Sequence, residues 1–132
     1  MGTHAAATFE VKSWDEKPYE EIEDGKKLTR ASVVQSCHGD IEGEAKVEYL
    51  MAYRSDGTAS FVGLQRVIGS VGGRAGSFVL QIAGSFDGTT AKGTWFAVAG
   101  SGTGELQGLR GEGGFAATHG PRGSMTLDYD IE

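Results

Sequence analysis

Several residue types and sequence signals are scarce or missing in this chain of 132 residues. It contains no asparagine, so it has no N-glycosylation sequon and no asparagine amide that could stabilise an oxyanion. Its one cysteine, Cys37, excludes an internal disulfide and a zinc site made of cysteines. No run of about 18 apolar residues is present, and the sequence therefore predicts no membrane-spanning helix and no membrane partner.

Signals for secretion, nucleic-acid binding and metal binding are missing as well. The first residues, Met1–Ala7, lack a basic segment and a continuous apolar one, so we expect no signal peptide and a cytoplasmic protein. The formal net charge is -6 and the 12 lysines and arginines are scattered, which argues against nucleic acid as a partner. His4, His38 and His119 are far apart in sequence, and we expect neither a metal site nor a cofactor.

Glycine, in contrast, is abundant. The chain has 22 glycines against two prolines, without the three-residue period of collagen. Glycine in a regular element costs conformational entropy, so this number indicates tight turns, bulges and bent strands.

The clearest pattern in the sequence is an alternation over residues 41–54. One set of alternate positions is free of charge: Ile41, Gly43, Ala45, Val47, Tyr49, Met51 and Tyr53. Of the seven positions between them, five carry charged side chains. A period of two over this length predicts a long strand with one buried face and one solvent-exposed face.

Similar but weaker patterns predict eight strands in total. They cover 7–12, 28–38, 41–54, 58–71, 75–86, 90–99, 105–117 and 124–131. Asp-Gly and Gly-Gly pairs separate several of them and are typical of hairpin turns. We interpret 15–27, which contains Pro18 and many acidic residues, as a polar loop or a short helical turn.

These strands predict an all-β fold in a single domain that covers residues 1–132. Eight antiparallel strands with no helix to cover the sheet edges are best accommodated by closure into a barrel. A two-layer β-sandwich is the alternative.

Three parts of the sequence carry a resemblance to a known family. They are Lys12-Ser13-Trp14-Asp15-Glu16 with Leu28-Thr29-Arg30-Ala31, then Gly73-Arg74-Ala75-Gly76-Ser77-Phe78-Val79-Leu80-Gln81, and finally Gly102-Thr103-Gly104-Glu105-Leu106 running into Gly108-Leu109-Arg110-Gly111-Glu112-Gly113. Over nearly the whole chain they resemble a bacterial family catalogued as domain of unknown function 3224. That family is similar in fold to allene oxide cyclase, an eight-stranded antiparallel barrel.

The resemblance implies a fold more than an activity. Barrels of the allene oxide cyclase type include cyclases that fold a flexible substrate into a reactive shape inside the lumen. The family often carries glutamate within the run Gly63-Leu64-Gln65-Arg66, where this chain has Gln65. No set of catalytic residues follows from the resemblance.

Candidate ligand-binding residues are polar or aromatic side chains that we expect to face the lumen. Tyr49 and Tyr53, on either side of Met51, share the uncharged face of their strand, where their hydroxyls can bind a ligand or donate a proton. Gln65 and Gln81 lie in largely apolar strands, and a buried amide needs hydrogen-bond partners. The alternative for all four residues is a purely structural role in the core.

Aromatic and charged side chains provide further candidates. Trp95 is a possible pocket wall or a core residue, and Trp14 is placed to cap one end of the barrel. Arg110 and Glu112 are two apart and so share a face, either inside the barrel or, as the preferred reading, outside it. Cys37 and His38 are adjacent and point to opposite faces, which excludes a catalytic dyad.

Three functions are compatible with these features. The first is binding of a small hydrophobic molecule in the barrel lumen. The second is a cyclase or isomerase that confines its substrate, assisted by a tyrosine or Glu112. The third is a filled structural barrel that acts through protein contacts. We also expect a homo-oligomer, because several strands are apolar on both faces.

Overall fold

The computed structural model describes residues 2–118 and 121–132 and contains nine β-strands and one short 3₁₀ turn. The strands are β1 (Thr3–Glu21), β2 (Lys27–Gly39), β3 (Ile41–Tyr53), β4 (Ala59–Val71), β5 (Arg74–Phe86), β6 (Ala91–Ala97), β7 (Thr103–Gly104), β8 (Leu109–Ala117) and β9 (Arg122–Ile131). The 3₁₀ turn, Glu23–Gly25, connects β1 and β2. His119 lies outside the described residues.

Eight of these strands form a closed antiparallel barrel, as the sequence predicts. The order around the barrel is β1, β2, β3, β4, β5, β6, β8 and β9, and β9 pairs with β1 to close it. The two-residue strand β7 pairs with β5 beside β6 and is not a wall of the barrel. Closure removes the free sheet edges of the eight walls, which rules out the sandwich alternative.

The alternation in β3 has the predicted orientation. Ile41, Ala45, Val47, Tyr49 and Met51 are buried in the barrel, whereas the charged residues between them are exposed. The same period continues around the barrel, so apolar side chains from all eight walls meet in one core.

The two ends of the barrel differ. At the closed end, the loop after β6 folds over the core and buries Leu106 completely, against the interior side of Gly76. At the opposite end, which we call the open end, Thr89 of the β5–β6 turn, Thr118 and Pro121 lie beside the aromatic side chains. The cavity described below lies at this open end.

Two segments differ from the sequence prediction. The polar stretch 15–27 was expected to be a loop or helical turn, but β1 continues to Glu21 and pairs with β2 as far as Lys27. A register shift between Val11 and Ser13 lets this long strand bend, and pairing with β2 satisfies its backbone groups despite the acidic composition. The seventh barrel wall, β8, begins at Leu109 rather than 105, since 105–108 form a turn.

None of the described residues belongs to a helix long and apolar enough to cross a bilayer.

Candidate functional site

A cavity of about 390 Å³ occupies the open end of the barrel. We call it the aromatic cavity, because rings from five strands line it. The lining comprises Phe9, Val11, Trp14, Gln35, Tyr49, Met51, Tyr53, Phe61, Phe86, Thr89, Ala91, Phe115, Ala117, Thr118 and Pro121. Its size lies in the range usual for small-molecule sites, and its walls are mainly apolar.

The aromatic rings form a connected series across the barrel. Their centroids are 6.1 Å apart for Trp14–Tyr49, 5.2 Å for Tyr49–Phe61, 6.1 Å for Phe61–Phe115 and 6.2 Å for Phe9–Phe115. The Tyr49–Phe61 and Phe9–Phe115 pairs are edge-to-face, an arrangement that the charge distribution of aromatic rings favours. Rings held in this way give the cavity a rigid wall.

Four of these rings stand directly opposite a glycine on the neighbouring strand. The pairs are Tyr49–Gly63, Phe61–Gly84, Phe115–Gly93 and Phe9–Gly123. A Cβ at Gly63 would lie only 2.8 Å from Cδ1 of Tyr49, so the ring occupies the space that a side chain would need. The abundance of glycine noted in the sequence thus allows large rings to lie flat against the barrel wall.

Glu16 connects three side chains at the rim of the aromatic cavity. One carboxylate oxygen, Oε2, accepts hydrogen bonds from the Thr29 hydroxyl and the Tyr53 hydroxyl, both at 2.6 Å. The other, Oε1, accepts one from the indole N–H of Trp14 at 3.0 Å. Glu16 thereby holds two cavity-lining aromatic residues in place.

The ionisation of Glu16 follows from these contacts. Partial burial of the carboxyl group opposes ionisation, but the hydrogen bonds from Thr29, Tyr53 and Trp14 outweigh it. Lys27, whose ammonium lies 5.1 Å from the Tyr53 ring centroid, adds a favourable charge. The pKa of Glu16 is lowered, so the group is a carboxylate at neutral pH.

The two predicted tyrosines both reach the cavity, with different hydroxyl environments. Tyr53 donates its hydroxyl to Glu16, whereas the hydroxyl of Tyr49 has no hydrogen-bond partner among the described residues. Burial raises the pKa of both phenols, and the adjacent Glu16 carboxylate raises that of Tyr53 further. Both remain protonated at neutral pH and serve as hydrogen-bonding groups.

Of the two predicted glutamines, one faces inward and the other outward. Gln65 is 1% exposed inside the barrel, and its Nε2 has no partner among the described residues, although it does not line the aromatic cavity. Gln81 was expected to be buried, which is wrong. Its neighbours Leu80 and Ile82 point into the core, so the alternation of β5 places Gln81 on the exposed outer wall.

Trp95 is a core residue behind the cavity. Its indole N–H donates to the backbone oxygen of Thr126 at 2.9 Å, and its ring stacks on Phe115 with centroids 5.4 Å apart. It supports the wall without lining the cavity. Trp14, by contrast, lies at the open end with 48% of its surface exposed.

Arg110 and Glu112 lie on the outer wall, as the preferred interpretation of the sequence predicts. Both side chains are exposed, and Arg110 pairs with Glu132. The suggestion that Glu112 assists proton transfer in the lumen is therefore wrong, because its side chain points away from the lumen. Cys37 is buried and its neighbour His38 is exposed, as the alternation of β2 requires.

Glu16 and Gln35 are two residues at the cavity that the sequence reading missed. Gln35 is 5% exposed, lines the aromatic cavity and has no side-chain hydrogen bond to a described residue. Its position on the apolar face of β2, with Val33 and Cys37 on either side, was the available signal. Glu16 was missed because its segment, 15–27, was interpreted as a polar loop or a short helical turn.

A larger but shallow depression crosses the outer wall. We call it the outer groove; it has a volume of about 1030 Å³ and its exposed apolar side chains are Leu50, Val62, Leu64 and Phe96. Arg30 and Glu48 border it on β2 and β3, and Glu112 and Asp128 border it on β8 and β9. Its openness to solvent makes it a contact surface rather than a binding pocket for a small molecule.

The described residues contain no group of three or more histidine, cysteine or acidic side chains suited to a metal ion.

Comparison with known proteins places this barrel in a family. Residues 5–129 match the model of the family described as protein of unknown function DUF3224. The chain belongs to this family. A crystal structure of a DUF3224 protein with unknown function from Shewanella oneidensis MR-1 is similar to it, with 27% sequence identity and a TM-score of 0.80. The alignment covers 100% of this chain and 99% of that one.

No match to this DUF3224 chain was found among the curated proteins. The family therefore defines the fold, and the function has to be argued from the site itself.

Proposed function

We propose that this DUF3224 chain binds a small, mainly apolar molecule in the aromatic cavity. The observation that carries the proposal is the cavity itself, about 390 Å³ lined by aromatic rings at the end of the barrel opposite the loop that buries Leu106. A purely structural barrel is expected to fill such a space with side chains, since unfilled apolar volume lowers stability. Burial of an apolar ligand against these rings recovers that free energy.

Binding is a better-supported function than acid–base catalysis. Tyr49 and Tyr53 have raised pKa values, and Glu16 has its two oxygens engaged by three donors. These groups orient and hydrogen-bond, but none is near the pKa that an acid–base catalyst needs at neutral pH. A cyclase of the allene oxide cyclase type would need only confinement of its substrate, and it remains the alternative for the same cavity.

The proposal is tested by filling the cavity. Ala117 lines the aromatic cavity, and its neighbour Ala116 faces the outer wall, so the two alanines form a matched pair. We expect naphthalene to bind the unaltered protein and Ala116→Phe with equal affinity and to lose at least tenfold in affinity for Ala117→Phe. Saturation-transfer NMR and calorimetry measure the binding.

The same pair of phenylalanine variants can also contradict the proposed binding site. Equal binding by both phenylalanine variants would place naphthalene outside the cavity and overturn the proposal. Native mass spectrometry of protein purified from its own host identifies a molecule that occupies the site in the cell. Conversion of that molecule during incubation with the protein would favour the cyclase alternative over simple binding.

A further inference from the structure

The amide of Gln35 faces the aromatic cavity and has no hydrogen-bond partner among the described residues. It is 5% exposed, and no described residue forms a hydrogen bond with its side chain. The amide atoms of Gln35 are not fully enclosed by protein, so they face the space of the cavity, where a ligand can reach them. A largely buried amide is stabilised by such a partner, and the interior positions on either side, Val33 and Cys37, carry no comparable polar group.

The hydroxyl of Tyr49 is a second such group in the same cavity. Tyr49 is 6% exposed, and its hydroxyl has no partner among the described residues. A phenol both donates and accepts, and an amide carries two N–H donors and one acceptor oxygen. The cavity therefore offers a ligand both kinds of hydrogen bond.

The described walls of the cavity offer no counter-charge for an ionised ligand. The described residues that line it include no lysine, arginine, histidine, aspartate or glutamate. Glu16 stands behind Trp14 and Tyr53 with its oxygens occupied, and Lys27 lies beside it with the opposite charge. A charged group brought into the cavity would lose its hydration without gaining a partner.

Ring walls and two unsatisfied polar groups together define a ligand class. We propose that the ligand is an uncharged, planar aromatic compound that bears a carboxamide or a similar donor–acceptor group, bound by Gln35 and Tyr49. Its ring packs on the aromatic walls, and its polar group satisfies the two orphan side chains. This inference rests on the proposed binding function and specifies the ligand.

Three probes with the same ring system separate the contribution of the ligand's polar group to the affinity from that of its ring. 2-Naphthamide carries the predicted group, naphthalene carries none, and 2-naphthoate is ionised at neutral pH. We expect 2-naphthamide to bind at least tenfold more tightly than either of the others, because an unpaired buried amide or an unpaired charge is left in the other two complexes. Calorimetry at pH 7 measures the three affinities.

Gln35→Met and Gln81→Met form a matched pair of variants, one inside the cavity and one on the outer wall. Gln35→Met should bring the affinity for 2-naphthamide to within about twofold of that for naphthalene, while Gln81→Met should leave the preference intact. Tyr49→Phe, with the exposed Tyr19→Phe as its control, should lower the preference in part. Tyr49→Phe also provides a test of the ligand class if Gln35→Met does not fold.

The outcomes separate this inference from the function on which it rests. Equal affinities for naphthalene and 2-naphthamide in the unaltered protein would overturn the ligand class and leave apolar binding standing. Tighter binding of 2-naphthoate, or a preference for the amide that survives both Gln35→Met and Tyr49→Phe, would also overturn it. No binding of any of the three probes would overturn both.

Discussion

At the residue scale, Glu16 is the side chain that organises the open end. Its carboxylate joins β1, β2 and β3 through Trp14, Thr29 and Tyr53. Two of these partners line the aromatic cavity, so Glu16 acts on a ligand through the position of their rings. It is a positioning residue rather than a binding one.

The lowered pKa of Glu16 predicts a specific pH dependence of stability. A carboxyl whose pKa is lower in the folded than in the unfolded chain contributes stability above its ordinary value of 4.5, and that contribution is lost as the pH falls through the lowered pKa. Glu16→Gln should reduce the free energy of unfolding at pH 7 by up to about 1 kcal/mol, since the group is partly solvated and its hydrogen bonds are screened.

Urea unfolding of Glu16→Gln and of the control Glu20→Gln, an exposed carboxylate on the same strand, tests this. The difference between the unaltered protein and Glu16→Gln should be constant above pH 5 and shrink at lower pH, whereas Glu20→Gln should track the unaltered protein throughout. A loss in Glu16→Gln that is the same at every pH would mean that ionisation of Glu16 plays no part.

At the element scale, the pairing of aromatic residues with glycines on the next strand shapes the cavity. Each pair, such as Phe61–Gly84, combines a large ring with a position that has no side chain. The ring covers the backbone of the glycine, which also compensates for the poor strand propensity of that residue. Strand register decides which aromatic residue meets which glycine, and thereby the outline of the cavity.

Gly84→Ala should destabilise the protein by roughly 1–3 kcal/mol, because the added methyl group overpacks the wall. Its Cβ would meet the backbone oxygen of Lys92 most closely, and it would also lie 2.7 Å from Cζ of Phe61 and 2.8 Å from Cα of Gly93. Urea unfolding gives the free energy, and Gly2→Ala, where nothing lies within 4 Å, is the control. Unchanged stability in Gly84→Ala would show that both the Phe61 ring and the backbone of β6 can move aside freely.

At the scale of the whole molecule, we predict that the outer groove is covered by a second copy of the chain. Exposed apolar patches of this kind are typical of contact surfaces. Lys46 and Arg66, neighbours across β3 and β4, lie beside the groove, and the acidic pair Glu112 and Asp128 lies at its far end. In a two-fold dimer the basic part of one copy can face the acidic part of the other.

Sedimentation velocity tests the dimer. The unaltered protein should sediment as a dimer that dissociates at high salt, and Leu64→Lys in the groove should be a monomer. Thr8→Lys on β1, across the barrel from the groove, should leave the dimer intact. A monomeric unaltered protein at the concentrations of the binding assays would contradict this prediction.

The alternation of side chains is a local property, and the sequence by itself therefore determined most of the fold. It indicated the eight walls, the closed barrel and the inward position of Tyr49, because a period of two depends only on the extended backbone. The same rule places Gln81 outside, between the buried Leu80 and Ile82. The expectation of burial failed there because it followed the composition of the strand instead of its phase.

Only the tertiary structure decided where the barrel is hollow and which polar groups face that space. The irregular register after Val11 carries β1 on to Glu16, and the pairing of β2 with β1 on one side and with β3 on the other brings Glu16 to Tyr53, 37 positions away. The loop that buries Leu106 covers one end of the barrel, and the aromatic cavity lies at the other. These features arise from how strands are staggered around a closed sheet, which is set by long-range pairing and has no local signature in the sequence.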